Sequence, residues 1–558
     1  MPTLEWIGKE KVINHHQEVP FRVLDRQYSF DENGQHAEEK VNCAEGAREA
    51  ALGRNGSENM IIHGDNLEAL KALLPRYEGR VKCIYIDPPY NTGEEGWIYN
   101  DNVNDPKIKK WLGEVVGKEG EDLTRHDKWL CMMYPRLKIL YKLLSDDGII
   151  AVSINDNELF NLGAIMNEIF GSFNRLACAP FRSEPSGGKD KSALRTGHEY
   201  ILFYTKGDTS NLSKEEKSTG ELNLKDKWGS YRKGRELRKW GATSDRADRP
   251  NLWFAIATPS GELAYPYKND GSEGYWRWGK ENAGMMEILK DPEAAHWEYS
   301  PYDNGVTVNG KTHRWVPYEK IRDAKKSFGW NSWLDGYGTN ADGTAVIKAI
   351  FGTKIFDTPK PLSLIEWIVS LYGEENALVL DSFAGSGTTA HAVLNMNKAD
   401  GGNRKFILVE MEDYADSITA ERVRRVIRGY GEGKNAVEGT GGSFSYYELG
   451  EPLLIGENLN EAVEPEKIRE YIWFMETKTP YTPAAGENLY YLGKHNDTGY
   501  YFYYEPQRIT VLDYDFLATV TEKAGGTVIY ADRCSIDDSK LSQMGIVFKK
   551  IPRDISRL

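Results

Sequence analysis

The sequence predicts an α/β protein in which a doubly wound, mostly parallel sheet is interrupted by an inserted domain and followed by an α+β region. Three observations support this fold class. Short, almost continuously apolar strands alternate with amphipathic helices, which is typical of parallel sheets covered on both faces. A glycine-rich turn follows one of these strands and opens a helix. Residues 181–333, by contrast, hold nine of the fifteen tryptophans and few helical patterns.

Five apolar segments predict the strands of this sheet, and helical patterns lie between them. The clearest helix follows the first strand, where leucines recur at helical spacing along one face. The predicted strands are Met60–His63, Val81–Ile86, Ile149–Ile154, Ala377–Asp381 and Phe406–Glu410. The predicted helices are Leu67–Leu74, Leu130–Leu144, Glu158–Phe170, Leu362–Tyr372, Thr388–Asn395 and Ala415–Arg428.

Changes in composition predict five consecutive segments. Two of them, 56–175 and 336–430, carry the strands and together form the core sheet. The tryptophan-rich segment 176–335 is predicted to be a domain inserted between these halves. Residues 1–55 are predicted to form an N-terminal arm, and residues 431–558, after a glycine-rich linker, a C-terminal domain.

Length and composition exclude several classes of protein. The 558 residues contain no apolar stretch near the roughly 20 residues that a membrane helix needs. The N-terminus lacks the basic and apolar regions of a secretory signal. The five cysteines are scattered and never spaced as CxxC, which argues against a disulfide framework or a zinc site. We therefore expect a cytoplasmic protein with no bound metal and no membrane partner.

The tetrapeptide Asp87-Pro88-Pro89-Tyr90 ends the predicted strand Val81–Ile86. Its two prolines cannot donate to a strand ladder and fix their own backbone angles, so the corner is rigid. It holds a carboxylate, an exposed carbonyl and an aromatic ring at the carboxyl edge of the sheet, where ligands bind in open α/β folds. This combination suits a flat ring that carries an amino group.

A second candidate site is the glycine turn Gly385-Ser386-Gly387, which lies between a strand and a helix. A phosphate-binding P-loop would require a lysine after the second glycine, and Thr388 stands there instead. Two nucleotide ligands remain open. A dinucleotide fits the G-x-G-x-x-A pattern, with Glu410 on the next strand to bond ribose hydroxyls. S-adenosylmethionine fits the same geometry, and the proline corner favours it, since a dehydrogenase has no use for that corner.

A basic segment with interleaved aromatic residues spans Lys225 to Arg249 and contains nine basic and four acidic residues. The net charge of the whole chain is −14, but nucleic-acid binding depends on local patches. Tryptophans and tyrosines among the basic residues favour contact with phosphates and bases over a solvated loop. The candidate DNA contacts are Lys227, Arg232, Lys233, Arg235, Arg238 and Lys239.

The motifs DPPY (87–90), DSFAGSGTT (381–389) and FILVE (406–410) resemble those of amino-methylating DNA methyltransferases of the β group, in which the catalytic motif precedes the cofactor motif. NHHQEVPFRVL, HEYILFYTKG, RPNLWFAI, FDTPKPLSLIEWIV and GTGGSFSYYELGEPLL are similar to segments of modification subunits of type III restriction–modification systems. The resemblance implies a Rossmann-like methyltransferase sheet and S-adenosylmethionine as cofactor. It also implies double-stranded DNA as substrate, a homodimer, and a helicase–nuclease restriction subunit as partner.

The resemblance also implies roles for individual residues. Asp87, Pro88, Pro89 and Tyr90 would be catalytic, with the aspartate favouring N6 of adenine over N4 of cytosine. The cofactor would contact Asp381, Phe383, Ala384, Gly385, Gly387, Thr388, Glu410, Asp65 and Lys360. Asp65 can equally be a helix N-cap, and Lys360 a solvated lysine. The alternatives are a stand-alone or phage-defence methyltransferase, a cytosine-N4 enzyme, and a catalytically silent DNA-binding scaffold. A cytosine-C5 enzyme is excluded, since the chain has no Pro-Cys pair.

Overall fold

The computed structural model describes residues 3–37, 57–92, 125–187, 194–483 and 488–553. The chain divides into two compact units. The first unit comprises Met1–Ser213 and Asn331–Leu558, and the second unit comprises Lys214–Trp330. None of the described helices is both long enough and apolar enough to cross a membrane.

A ten-stranded sheet forms the centre of the first unit. Its strands are β1 (Arg22–Asp31), β2 (Gly34–Ala37), β3 (Met60–His63), β4 (Val81–Ile86), β5 (Leu144–Ile154), β6 (Arg175–Phe181), β7 (Glu199–Thr205), β8 (Leu378–Asp381), β9 (Lys405–Glu410) and β10 (Ser443–Pro452). They lie in the order β2-β1-β10-β3-β9-β8-β4-β5-β7-β6. The six strands from β10 to β5 are parallel, and β1 and β7 flank them in the antiparallel sense. The mostly parallel α/β fold is thereby confirmed.

Helices connect the parallel strands, and the strands between them are buried almost throughout. Burial on both faces is what continuous apolar strands require. The helices of this part of the chain are Lys9–Val12, His15–Glu18, Asn66–Tyr77, Arg125–Leu143, Leu159–Phe170, Asn340–Phe351, Leu362–Ser370, Thr388–Asp400 and Glu421–Arg428. The core that they enclose contains Trp129 and Ile84, both fully buried.

The two terminal segments differ from those predicted. The predicted N-terminal arm supplies β1 and β2, and the predicted C-terminal domain supplies β10, so both ends of the chain extend the core sheet. Aromatic pairs hold these strands together: Tyr28 stacks on Tyr446 with ring centroids 5.0 Å apart, and Phe30 lies 5.6 Å from Phe444. The glycine-rich linker before β10 therefore returns the chain to the sheet.

The remainder of the C-terminal region is a smaller α+β assembly within the first unit. Its four-stranded sheet consists of Tyr491–His495, Thr498–Phe502, Gly526–Ala531 and Ile546–Lys550. Its helices are Pro465–Thr477, Tyr514–Leu517 and Asp538–Gln543. Its core includes Ile468, Leu492 and Phe502. This arrangement agrees with the α+β character expected from the sequence.

The second unit is narrower than the predicted insertion 176–335, because β6 and β7 pair with the core sheet instead. It contains a four-stranded antiparallel sheet of Leu224–Asp226, Gly229–Glu236, His313–Ile321 and His296–Pro301. Shorter strand pairs and the helix Ala283–Lys290 accompany this sheet. Leu237, Trp276 and Met285 form the centre of its own hydrophobic core.

Candidate active site

The carboxyl ends of four neighbouring parallel strands bring acidic residues from both halves of the chain together. Strands β3, β9, β8 and β4 lie side by side, with Glu410 paired to His63 and Leu380 paired to Ile84. Asp381 and Glu410 end their strands, and Asp87 follows β4 directly. Because parallel strands end at the same edge, the proline corner and the glycine turn meet there, as expected from the sequence.

The proline corner is held rigidly by packing and by one indole. Pro88 is buried, and the Trp129 Nε1–H group donates a hydrogen bond of 2.7 Å to the Pro89 carbonyl. Among the described residues no donor is bonded to the Pro88 carbonyl. The Asp87 side chain keeps 26% of its surface exposed. The corner thus presents one carbonyl and one carboxylate toward the edge of the sheet.

Lys360 lies at this corner rather than at the glycine turn. Its ammonium donates to the Tyr90 hydroxyl at 2.7 Å and to Glu199 Oε2 at 2.7 Å, and it lies 3.3 Å from Asp87 Oδ1. The Tyr90 hydroxyl also donates to Glu199 Oε2 at 2.9 Å. The lysine predicted to bind the cofactor therefore lies against Tyr90 and Asp87 of the proline corner.

Burial and neighbouring charges shift the pKa values of these groups. Burial raises the pKa of Asp87, Lys360 opposes that rise, and the Glu199 carboxylate adds to it. For Glu199, burial acts upward, but the ammonium of Lys360 outweighs it and the pKa is lowered. Burial alone would lower the pKa of Lys360, yet the two carboxylates raise it above its usual value. Lys360 is thus a permanent cation, and Glu199 is its ionised partner.

The glycine turn adopts a backbone that only glycine accommodates easily. Gly385 and Gly387 have φ values of +52° and +78°. A Cβ atom would lie 3.1 Å from the Phe356 ring at the first position and 3.1 Å from the Thr419 carbonyl oxygen at the second. The helix Thr388–Asp400 begins directly after the turn, so its free N–H groups face the same edge. The turn therefore requires glycine at both positions, and the N–H groups at the helix start are what it offers to a ligand.

Two buried acids brace this turn. The Asp381 carboxylate accepts hydrogen bonds from Thr389 Oγ1 at 2.6 Å and from the Phe383 N–H at 3.0 Å. The Glu410 carboxylate accepts from the N–H groups of Gly385 at 2.7 Å and of Glu412 at 3.0 Å. Burial raises the pKa of each to about 7. Asp381 thus holds the turn from within, whereas Glu410 lies between the turn and its neighbouring strand end.

Asp65 caps the helix Asn66–Tyr77 by accepting from the N–H groups of Leu67 and Glu68. This is the alternative that the sequence left open beside a cofactor contact. The side chain keeps 35% of its surface exposed, with Arg136 Nη2 3.9 Å away. The cap accounts for one carboxylate oxygen, so a second role remains a proposal. The other predicted cofactor residues, Phe383, Ala384 and Thr388, all belong to the turn and its helix start.

Sequence reasoning missed two residues of this edge. Glu199 opens the otherwise apolar strand β7, and a charged residue at the start of such a strand was the available signal. Arg422 is buried beneath the glycine turn, where it donates to Ser386 Oγ at 2.9 Å and to Thr388 Oγ1 at 2.7 Å. Burial lowers its pKa to about 9. Nothing in the local sequence points from Arg422 to the turn.

The predicted DNA contacts of the second unit differ in their exposure and in their ion pairs. Lys227 is paired with Asp291 and Glu293, and Lys233 is paired with Glu298. Arg232 is half-buried, whereas Arg235 and Lys239 are exposed.

Arg238 is buried, with 3% of its surface exposed, and donates to Glu236 and Asn269. Its guanidinium also lies 4.4 Å from the Trp240 ring centroid. Arg238 therefore stabilises the packing of this unit, which corrects its predicted role as a DNA contact. Arg235 and Lys239 are the better candidates for that role.

Comparison with known proteins agrees with this geometry. Residues 81–421 match the N6_N4_Mtase family, described as DNA methylase. The type II methyltransferase M.KpnI of Klebsiella pneumoniae is 34% identical over 371 residues, which cover 64% of this chain and 81% of that protein. The type III restriction-modification enzyme EcoPI Mod subunit of Escherichia phage P1 is 32% identical over 393 residues, or 64% of this chain.

The match spans only 58% of the EcoPI Mod subunit and, at 31% identity, 57% of the StyLTI Mod subunit of Salmonella typhimurium. The solved structure of TTHA0409 from Thermus thermophilus aligns with 70% of this chain and 99% of its own, at 16% identity. Its TM-score of 0.30 is too low to support a conclusion. The family match covers more than half of the chain, including both motifs of the site, and the chain therefore belongs to the N6/N4 family of DNA methylases.

Proposed function

We propose that this protein transfers a methyl group from S-adenosylmethionine to N6 of an adenine that is flipped out of double-stranded DNA. The observation that carries the proposal is the position of the Asp87 carboxylate, at the end of β4, beside the glycine turn at the end of β8. A group that recognises an amine thus lies at the same sheet edge as a backbone that can approach a nucleoside-like cofactor.

The residues present fit S-adenosylmethionine in three respects. Gly385 and Gly387 have positive φ values and pack against Phe356 and the Thr419 carbonyl, which places the free N–H groups at the start of the helix Thr388–Asp400 at the sheet edge, where a ligand can bond them. Buried polar atoms at this edge, Asn66 Oδ1 and Ser382 Oγ, have no hydrogen-bond partner among the described residues. Glu410 can bond ribose hydroxyls, as expected from its place on the strand next to the turn. The bound cofactor would supply an already activated methyl group, so no covalent nucleophile is required.

The chain's own residues would then prepare the target amine. The lone pair of adenine N6 is conjugated into the ring, which makes the amine a poor nucleophile. Hydrogen bonds from the amine to Asp87 and to the Pro88 carbonyl would favour a tetrahedral nitrogen with an available lone pair. Tyr90 would stack on the flipped base, an interaction worth about 1–3 kcal/mol per base, against the few kcal/mol that extrusion costs. Catalysis would rest mainly on positioning.

The experiment is methyl transfer from labelled S-adenosylmethionine to mixed-sequence DNA, followed by mass spectrometry of the nucleosides. N6-methyladenine is the expected product, and N4-methylcytosine would change the assigned base. Asp87→Ala should abolish transfer while cofactor binding survives, and Gly385→Asp should abolish cofactor binding. Transfer retained by Asp87→Ala would overturn the catalytic assignment. Absence of any transfer by the unaltered protein would favour a DNA-binding scaffold.

The biological setting that we propose is modification within a type III restriction–modification system. The similarity to the EcoPI and StyLTI Mod subunits supports this setting, and the similarity to M.KpnI supports the alternative of an enzyme that acts alone. In the first case a helicase–nuclease subunit would bind the dimeric protein, with the C-terminal α+β assembly as a candidate contact. Co-purification with the product of a neighbouring helicase–nuclease gene would decide between the two settings.

A further inference from the structure

The ammonium of Lys360 is shared unequally between two carboxylates. It lies 2.7 Å from Glu199 Oε2 and 3.3 Å from Asp87 Oδ1, and its third contact is the Tyr90 hydroxyl at 2.7 Å. Lys360 is buried, with 8% of its side chain exposed, so water competes little for its three protons. Asn340 Nδ2 donates to the other oxygen of Glu199 at 3.3 Å and helps fix that carboxylate.

This arrangement leaves the Asp87 oxygen without a full hydrogen bond. Asp87 Oδ1 is buried and has no hydrogen-bond partner among the described residues, although Lys360 stands within ion-pair distance. An ammonium that was not held by Glu199 would be free to close the remaining distance to Asp87. A carboxylate oxygen in a short, charge-assisted bond to lysine is a weaker acceptor for any other donor.

We propose that Glu199 is a positioning residue for methyl transfer, which holds the Lys360 ammonium and the Tyr90 hydroxyl so that the Asp87 carboxylate remains available to the target amine. The inference rests on the proposed function, since it assigns Asp87 the target amine as its ligand. Glu199 itself touches neither substrate nor cofactor in this account. It acts through the lysine and through the orientation of the tyrosine ring.

The charged and titratable groups that face Asp87 determine the direction in which its pKa should shift when one of them is replaced. They are Lys360, Glu199, Tyr90, Tyr85 and Asp381. Burial raises the pKa of Asp87 most, the Lys360 cation and the Tyr90 hydroxyl lower it, and the Glu199 carboxylate raises it further. Transfer requires ionised Asp87, so the rate falls as the pH drops through the pKa of Asp87. This fall is the acid limb of the pH–rate profile, and its midpoint moves with the pKa of Asp87.

The decisive comparison is between Glu199→Gln and Lys360→Met, measured as single-turnover methyl transfer across pH. Loss of the Glu199 charge should move the acid limb to lower pH, because that charge raises the pKa of Asp87. Loss of the Lys360 charge should move it to higher pH, by about 1–3 units, the range for an opposite charge within 4–6 Å. A structural role alone would reduce the rate or the melting temperature of both variants without opposite displacements of the limb.

A matched control lies elsewhere in the first unit. Glu168 binds a buried lysine, Lys9, at 3.1 Å and accepts from the Tyr134 hydroxyl at 2.8 Å, so it repeats the same set of side chains away from the site. Glu168→Gln should leave the acid limb in place.

Limbs that stay fixed in Glu199→Gln and Lys360→Met, or that move in the same direction, would overturn the inference. If Glu199→Gln fails to fold, an acid limb in Lys360→Met that stays at the position of the unaltered protein would overturn it alone. Transfer by the unaltered protein at neutral pH tests the proposed function separately, so the two failures are distinguishable.

Discussion

Replacement of Asp87 by asparagine should separate catalysis from stability. The substitution keeps the shape of the side chain and a carbonyl acceptor but removes the negative charge at the strand end. Asp87 Oδ1 is buried and has no hydrogen-bond partner among the described residues, and its ion pair with Lys360, at 3.3 Å, is longer than the 2.7 Å pair of that lysine with Glu199, so the carboxylate is left available to a ligand. Removal of one preorganised polar group that acts on the reacting atoms costs about 10²–10³ in kcat, or about 2.7–4 kcal/mol. We expect a loss of that size.

Stability should change little or increase. The pKa of Asp87 is raised in the folded protein, first by burial, so the ionised carboxylate disfavours the folded state at any pH above that raised value. A neutral asparagine removes this cost, and Lys360 retains Glu199 as its partner at 2.7 Å. The melting temperature of Asp87→Asn should therefore equal or exceed that of the unaltered protein at neutral pH.

The assay is single-turnover methyl transfer to DNA, with thermal unfolding and cofactor binding measured on the same preparations. A rate within tenfold of the unaltered enzyme would refute the role of the carboxylate. A melting temperature that falls together with the rate would refute the electrostatic argument, because it would mean that the ionised side chain stabilises the corner.

Two further substitutions test the glycine turn and the basic segment. Gly387→Ala should weaken cofactor binding and destabilise the protein by about 1–3 kcal/mol, since φ is +78° and the new Cβ would lie 3.1 Å from the Thr419 carbonyl; calorimetry and denaturant unfolding measure the two effects. Arg235→Glu combined with Lys239→Glu should weaken DNA binding and reduce its salt dependence, with a loss of about one in log–log slope for each phosphate contact removed; binding isotherms at several salt concentrations measure this.

Each of these has a matched control in the chain. Gly401 has a similar φ of +74°, but no atom lies within 4 Å of its added Cβ, so Gly401→Ala should cost stability without affecting the cofactor. Lys325 is exposed on the second unit and paired with Glu216 at 3.0 Å. If Lys325→Glu weakens DNA binding as much as the double change does, net charge rather than a local contact is responsible.

The meeting of the two motifs could be predicted from the sequence because each follows a buried strand. Parallel strands end at a common edge, so Asp87 and Gly385 had to lie at the same carboxyl edge of the sheet. That β4 and β8 are immediate neighbours could not be predicted, since strand order across an insertion depends on packing between distant segments. The glycine-rich linker before β10 indicated a boundary, although the aromatic pairs to β1 continue the sheet beyond it.

The role of Lys360 could not be predicted from the sequence, for a different reason. A lysine between two prolines has no local partner, and Glu199 lies 161 residues away along the chain. Such a long-range ion pair is specified by the folded sheet, which brings the start of β7 close to the end of β4. Arg238 shows the converse case. Its charge suggested a phosphate contact, but Glu236, two residues before it, satisfies the guanidinium within the unit.

The acids at the sheet edge impose opposite demands on stability and on cofactor binding. Asp381 and Glu410 are buried, and burial raises the pKa of each to about 7. A carboxyl whose pKa is raised in the folded state costs stability when it ionises, so stability falls as pH rises through about 7. Ionised Glu410, however, is the better acceptor for ribose hydroxyls. Between pH 7 and 8, cofactor affinity should therefore rise, and Glu410→Gln should flatten that rise. Over the same interval the two carboxyls lower the free energy of unfolding, and Glu410→Gln should remove about half of that contribution, because Asp381 still titrates. Below about pH 6.5 the lowered pKa values of His15, His16 and His391 act on stability in the opposite sense. Lys71, whose pKa burial lowers to about 8, also acts in the opposite sense between pH 7 and 8, so the quantity to compare is the difference between Glu410→Gln and the unaltered protein. Calorimetry of cofactor binding and denaturant unfolding at the two pH values would contradict the argument if the affinity and the stability of the unaltered protein, each relative to Glu410→Gln, rose together.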